Sequence, residues 1–207
     1  MTRPTPPEGA PRRPPPAPRR TPTSDRPSGA LAIDRVERLE VVTAALARMG
    51  SWADIGALFA RGVRNTFGAD VGWLAVVDEG DAALRLLAAA GEGAGRAREL
   101  RRVPADAPVP SADAARDGRP RWYATNADLA EEYPHHSATL RAVGIEATAV
   151  LPLRAGGART LGVITLGFRA ARGLADDDRA FAETLAQQWG HALERTRLLA
   201  REGADHR

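Results

Sequence analysis

The 207-residue sequence contains no cysteine. Disulfides, thiol nucleophiles, thiolate metal sites and thioether-linked chromophores are thereby excluded. It contains no lysine either, so all 29 basic residues are arginine, a bias that G+C-rich coding explains better than selection for bidentate recognition. No apolar run approaches ~18 residues, so no membrane-spanning helix is expected. The first residues lack the apolar segment of a secretory signal. A cytoplasmic protein is the expectation.

What is present is divided unevenly. Residues 1–28 hold ten of the sixteen prolines and almost no large apolar side chain. Such a segment buries too little surface to offset chain entropy, and residues 1–29 read as a disordered Pro/Arg-rich tail that serves as a solvated linker. Its six arginines against Glu8 and Asp25 give it a charge of +4, whereas the whole chain carries +3. The remaining residues therefore sum to −1. A basic stripe for a phosphate backbone is not expected on the folded part, and nucleic acid is not an expected partner. Residues 30–201 are rich in Ala, Leu and Val and long enough for one core. Residues 202–207 read as a second disordered end.

Periodicity orders the elements. Val36, Leu39, Val42, Leu46 and Met49 recur at helical spacing and predict a helix over 31–49. Ser51 caps a second helix that Gly68 ends, with Ile55, Leu58, Phe59, Val63 and Phe67 as its apolar stripe. Strands over 71–77 and 83–90 enclose an acidic turn and form a hairpin. A short strand over 99–103, a helix capped by Ser111 and ending near Gly118, and a strand over 121–124 follow. Residues 126–143 read as helical with a break at Pro134. Strands over 145–153 and 161–169 are joined by a turn at Ala155, Gly156 and Gly157. A last helix starts at Asp176, Asp177 and Asp178 and carries Phe181, Leu185, Trp189, Ala192, Thr196 and Leu199 on one face. Hairpin connections favour an antiparallel sheet in an α+β fold.

Several segments then form a pattern: FGADVGWLAVVDE (67–79), ARDGRPRWY (115–123), EEYPHH (131–136), GIEATAVLPLRAGGARTLGVITLGF (144–168) and DDDRAFAETLAQQWGHALERTRLL (176–199). In this order and spacing the chain resembles the GAF domain family, especially the modules of bacterial PP2C-type serine phosphatases and sensor histidine kinases. The resemblance covers about residues 36–198. It implies a PAS-related, six-stranded antiparallel sheet with helices on both faces and the first and last helices packed together. It further implies a pocket beneath a cover formed by residues 92–143.

Within that cover the aromatic and imidazole residues Trp122, Tyr123, Tyr133, His135 and His136 are the candidate ligand-binding set, since pockets favour aromatics with polar handles. A strand alternative stands for Trp122 and Tyr123, in which the two point to opposite faces. The histidines also have a bland alternative as a solvated surface pair. Adjacent histidines on a helix point about 100° apart and do not share a metal readily. No metal site is expected, and no cofactor is identified. The GEGAGRA segment (91–97) lacks the Lys-Ser/Thr of a phosphate loop. The methionine sulfoxide reductase branch of the family uses cysteine, and the cyclic-nucleotide branch carries an NKFDE string; both features are missing here. No nucleophile–base arrangement is found, so no catalytic residue is expected.

The resulting expectation is a non-catalytic sensory or regulatory module of bacterial signal transduction. It binds a small ligand under the cover and passes the signal through its terminal helices as a homodimer. The alternative is a ligand-free dimerisation or docking module for a separate kinase, phosphatase or transcription regulator.

Overall fold

Six strands form a single antiparallel sheet in the order β3-β2-β1-β6-β5-β4. The computed structural model describes residues 28–78, 80–92, 94, 101–156 and 159–205, with side chains described from 34 to 202. The expected tail therefore lies outside the described residues up to position 27, as does most of the GEGAGRA segment.

The hairpin of β1 (Val71–Asp78) and β2 (Ala83–Ala90) forms half of the sheet. The hairpin of β5 (Ala147–Arg154) and β6 (Thr160–Phe168) forms the other half. β1 and β6 pair across the centre, and the short strands β3 (Arg102–Pro104) and β4 (Arg121–Tyr123) close the edges. Short edge strands limit the unpaired backbone offered to another sheet.

Helices α1 (Ser28–Ala47), α2 (Trp52–Phe67) and α6 (Asp176–Asp205) pack on one face. α2 has the predicted termini: the Ser51 hydroxyl accepts the Asp54 N–H at 3.1 Å, and Gly68 ends the helix at φ 65°, a conformation glycine adopts without a Cβ penalty. Ile55 and Phe59 of α2 are fully buried against the sheet, and Phe59 meets the Trp189 ring edge-on at 5.6 Å. Each such buried side chain contributes about 1.5–3 kcal/mol. α6 comes very close to the β5–β6 hairpin. A Cβ on Gly190 would lie 2.1 Å from the Arg154 carbonyl oxygen, so only glycine permits that approach.

The first and last helices pack together as expected. The Arg35 guanidinium pairs with Asp178 at 2.6 Å, and Arg195 donates to the Leu46 carbonyl at 2.5 Å. The stripes predicted for them are only partly buried. Val42 and Leu46 are inside, but Val36 is 57% exposed; Leu185 and Trp189 are inside, but Leu199 is 47% exposed. At this level of α1 it is Arg35 and Arg38, not Val36, that turn toward Leu166, Phe168 and Trp122 of the sheet. α1 begins at Ser28, and α6 continues to Asp205, past the edge expected at 201.

The opposite face is covered by α3 (Pro110–Asp117), α4 (Asn126–Glu132) and α5 (Pro134–Ala142). The predicted Ser111 cap of α3 is corrected: the cap lies two residues earlier, at Val109, with no side-chain cap bond, and the helix starts at Pro110. Proline suits the first helical position because its fixed φ and missing N–H cost nothing there. Pro134 divides α4 from α5 as expected. Among the described residues no helix is long and apolar enough to cross a membrane.

Candidate functional site: the covered face of the sheet

Strand alternation gives the two faces of the sheet different chemistry. Toward α1, α2 and α6, the inner strands present Ala147, Ala149, Leu151, Ile164, Leu166 and Phe168. Toward α3–α5, the same strands present Val150 and Val163, and by alternation Thr148 and Thr165. Both threonines are buried, at 3% and 8% exposure. Thr148 lies opposite Tyr123 of β4, and Thr165 lies between Trp73 of β1 and Val150 of β5. The floor of the covered face thus carries two hydroxyls, a phenol and an indole.

Above that floor, Ala112 and Ala114 of α3 pack on Val150 and Val163. Leu129, Tyr133 and Leu140 of α4–α5 join Trp73, Tyr123 and Ile145 in one cluster. Tyr123 and Tyr133 meet edge to face at 6.3 Å, an arrangement the ring quadrupoles favour. The Trp73 indole N–H donates to the Ala94 carbonyl at 3.2 Å.

Polar groups fix the cover helices. Thr125 and Asp128 form a reciprocal cap at the start of α4, with bonds of 3.1 and 2.8 Å. Asn126 is 3% exposed and is held from several sides. Its amide donates to the Ser137 and Ile145 carbonyls at 3.2 and 3.4 Å, and its oxygen accepts from the Ser137 hydroxyl at 2.7 Å and from Arg141 at 3.0 Å. A buried amide needs such partners, because each unmet group would cost the desolvation energy in full. The Tyr133 hydroxyl donates to Asp113 of α3, and the Tyr123 hydroxyl donates to Glu132 at 3.4 Å.

Burial also sets the protonation states. It pulls the His136 imidazole down to about 4, so this side chain is neutral at neutral pH. It raises Tyr123, reinforced by Tyr133 and Glu132, and it raises Tyr133, reinforced by Asp113. Both phenols stay protonated and act as donors.

The five residues proposed from sequence do not assemble as one set. Tyr123, Tyr133 and His136 belong to the buried interior on the covered side. His135 is exposed on the outer side of α5. Trp122 requires correction: it packs with the core under α1, α2 and α6, on the opposite face, with the Arg179 guanidinium 5.9 Å from its ring. Neighbours in a strand alternate, so Trp122 and Tyr123 cannot both face the cover. Sequence reasoning missed Thr148 and Thr165. Their signal was a threonine on the same face of two largely apolar strands.

The chemistry available is recognition by neutral groups: hydroxyls, phenols and an uncharged imidazole. The Ser137 hydroxyl donates to Asn126 rather than to a base. Among the described residues no three His, Asp or Glu side chains cluster as a metal site.

This architecture can be set against known proteins. The family model for the GAF domain matches residues 37–194.

The chain belongs to the GAF domain family.

Solved GAF domains superpose on it at low identity. That of a phosphoenolpyruvate-protein phosphotransferase from Coxiella burnetii has a TM-score of 0.69 at 19% identity, covering 84% of this chain and 98% of the other. The GAF domain of the Acinetobacter phosphoenolpyruvate-protein phosphotransferase gives 0.64 at 11%, covering 79% and 95%. The free methionine-R-sulfoxide reductase of Neisseria meningitidis, solved with its substrate, gives 0.64 at 18%, covering 84% and 95%. At these identities the likeness is one of fold. None of the curated proteins matches the chain. Because this GAF domain contains no cysteine, it has no thiol for reductive chemistry.

Proposed function

We propose that this GAF domain is a cytoplasmic, non-catalytic regulatory module of bacterial signal transduction. It takes a small ligand between the sheet and α3–α5 and passes the change to α1 and α6, which act within a homodimer. The observation that carries this reading is the uneven placement of polar groups. Thr148, Thr165, Tyr123, Tyr133 and neutral His136 are buried on the covered side, whereas the inner strands of the other face offer hydrocarbon. Such groups supply the few convergent polar contacts by which an apolar pocket orients a ligand.

Relay to the helices has a short route. β6 carries Thr165 on the covered face, and the segment after it leads directly into α6. On the way, the Arg172 N–H donates to the Ala124 carbonyl at 2.9 Å, next to Tyr123 on β4. A ligand that binds one arrangement of this unit tenfold better than another shifts the balance by about 1.4 kcal/mol.

Thermal unfolding in the presence of nucleotides, haem, amino acids and aromatic acids tests the reading. A ligand at one hundred times its Kd adds about 2.7 kcal/mol. Thr165→Val should abolish that gain without loss of fold. A gain untouched by Thr165→Val would place the ligand elsewhere and reject the covered site.

A second reading has its own support. Trp73, Tyr123, Leu129, Tyr133 and Leu140 already pack against one another beneath the cover, while Val36, Val41, Leu198 and Leu199 are exposed on α1 and α6. Both facts suit a ligand-free module that dimerises or docks on a separate kinase, phosphatase or transcription regulator. Light scattering that shows a dimer, together with no thermal shift across the whole library, would favour it.

A further inference from the structure

The face of the sheet away from the cover contains a second recessed surface. β5 places only Ala147 and Ala149 between larger neighbours. Trp122 of β4 lies opposite Ala149, and Ala149 lies opposite Leu166 of β6; Ala147 lies opposite Phe168. Strands are about 4.8 Å apart, so the Trp122 and Leu166 backbones stand about 10 Å from each other with methyl groups between them. Ala149 is covered by the core, but beside Ala147 the sheet leaves a trough. It opens into a cavity of about 380 Å³ toward α1, α2 and Phe181, and into one of about 130 Å³ toward β4. Trp122, Phe168, Arg172 and Leu174 line both, and Tyr123 and Thr148 also border the smaller one at the sheet edge.

The charges around this trough are not equivalent. Arg35 is paired with Asp178, and Arg38 with Asp34. Asp128 also borders the smaller cavity, but its carboxylate closes the α4 cap. Arg172 and Arg179 differ from these. Among the described residues neither meets a carboxylate. The Arg172 guanidinium lies 4.9 Å from the centre of the Phe168 ring and donates only to the Gly68 carbonyl, at 3.3 Å. Arg179 stands over the Trp122 ring, and its Nε is buried with no acceptor. Two guanidinium groups with unused donors therefore flank an aromatic trough. Guanidinium donors match the two oxygens of a carboxylate.

We propose that this trough is a second ligand site, centred on the face opposite the cover and away from Thr165, which takes a small monocarboxylate with an aromatic or branched apolar body. The carboxylate lies between Arg172 and Arg179, and the body lies over Ala147 between the Trp122 and Phe168 rings. Because Asp34, Arg35 and Arg38 of α1 and Phe181 of α6 border the larger cavity, occupancy bears directly on how these two helices meet.

Calorimetric titration of the full chain with phenylacetate, and with benzyl alcohol as its uncharged counterpart, tests the proposal. Phenylacetate should bind saturably and at least about tenfold more tightly than benzyl alcohol. The Arg172→Gln/Arg179→Gln double variant should weaken phenylacetate at least about tenfold, whereas Thr165→Val on the covered face should leave it unchanged. Ala147→Leu should also remove binding by filling the trough. Should Ala147→Leu fail to fold, the double variant at the surface carries the test, with its melting temperature as the check on folding. Equal affinity for the acid and the alcohol, unchanged affinity in the double variant, or no saturable binding of phenylacetate would each overturn the site. Loss of binding with Thr165→Val alone would assign the ligand to the covered face and overturn it as well.

Discussion

On the face that meets α1, α2 and α6, the sheet offers hydrocarbon, and the helices answer with Ile55, Phe59, Leu185 and Trp189. On the face that meets α3–α5, the sheet offers threonines among its valines, and the cover answers with the Tyr133 phenol, an imidazole and a buried amide network. The first arrangement is held by area removed from water, which is non-directional and scales with the groups buried. The second depends on a few directional bonds between short helices of seven to nine residues. Helices that short are marginal alone and stand only through their contacts. The comparison teaches that one sheet can carry a layer held by buried area on one face and a layer held by directional bonds on the other.

The largest test is Trp189→Ala, which removes an indole at 2% exposure. It should cost about 3–5 kcal/mol in denaturant unfolding and lower amide protection throughout the domain. A loss below about 1 kcal/mol would mean that this layer is not the main source of stability.

Next comes acid. The His136 imidazole titrates at about 4 in the folded domain against 6.5 for the free group. The unfolded chain therefore binds the proton first as pH falls. Stability should be unaffected above about pH 6.5, decline between 6.5 and 4, and level off below, with a total near 3 kcal/mol from this residue. His136→Gln should flatten that decline in urea unfolding measured across the interval. Asp70 behaves separately. The Arg169 backbone N–H bond holds its carboxyl below 3.8, so its contribution is present above 3.8 and is lost only as pH falls further. An unaltered slope in His136→Gln would show that His136 is not the group responsible.

Tyr133→Phe removes the hydroxyl donated to Asp113 and should cost about 1–2 kcal/mol. Its mark should be local: hydrogen exchange should accelerate in α4 and α5 and remain the same in β5 and β6. Uniform acceleration would contradict the separation of the two layers. Val41→Ser should have the smallest effect on the monomer, within about 0.5 kcal/mol, because the side chain is 69% exposed. If α1 contributes to a dimer, the same change should weaken association in light scattering; an unchanged dimer would remove Val41 from the interface.

Much of the scaffold was legible from local signals. Ser51 and Gly68 delimit α2 because a hydroxyl can meet the free N–H groups at one end and glycine can adopt positive φ at the other. β2 has the expected bounds, and β1 runs one residue further, to Asp78. The candidate site was less legible. Tyr123 and Tyr133 were visible as aromatics with polar tips in the cover, but their edge-on contact spans ten positions and a change of element. Thr148 and Thr165 went unnoticed, because alternation states that neighbours face opposite ways without saying which way leads to the cover. Trp122 fell on the wrong face for the same reason. Val36 and Leu199 were assigned to buried stripes by spacing that cannot reveal which helix positions meet a neighbour.

The sequence by itself determined the elements, their order, the antiparallel pairing of consecutive strands and the exclusion of thiol chemistry. These follow from side-chain periodicity, backbone preferences and composition, all of which act over a few residues. Tertiary structure alone decided which face became polar, which histidine was buried and uncharged, and which arginines kept unused donors beside Trp122 and Phe168. Those properties arise from burial and from contacts between residues far apart in the chain, where the free energy of a group depends on the neighbours that folding brings to it.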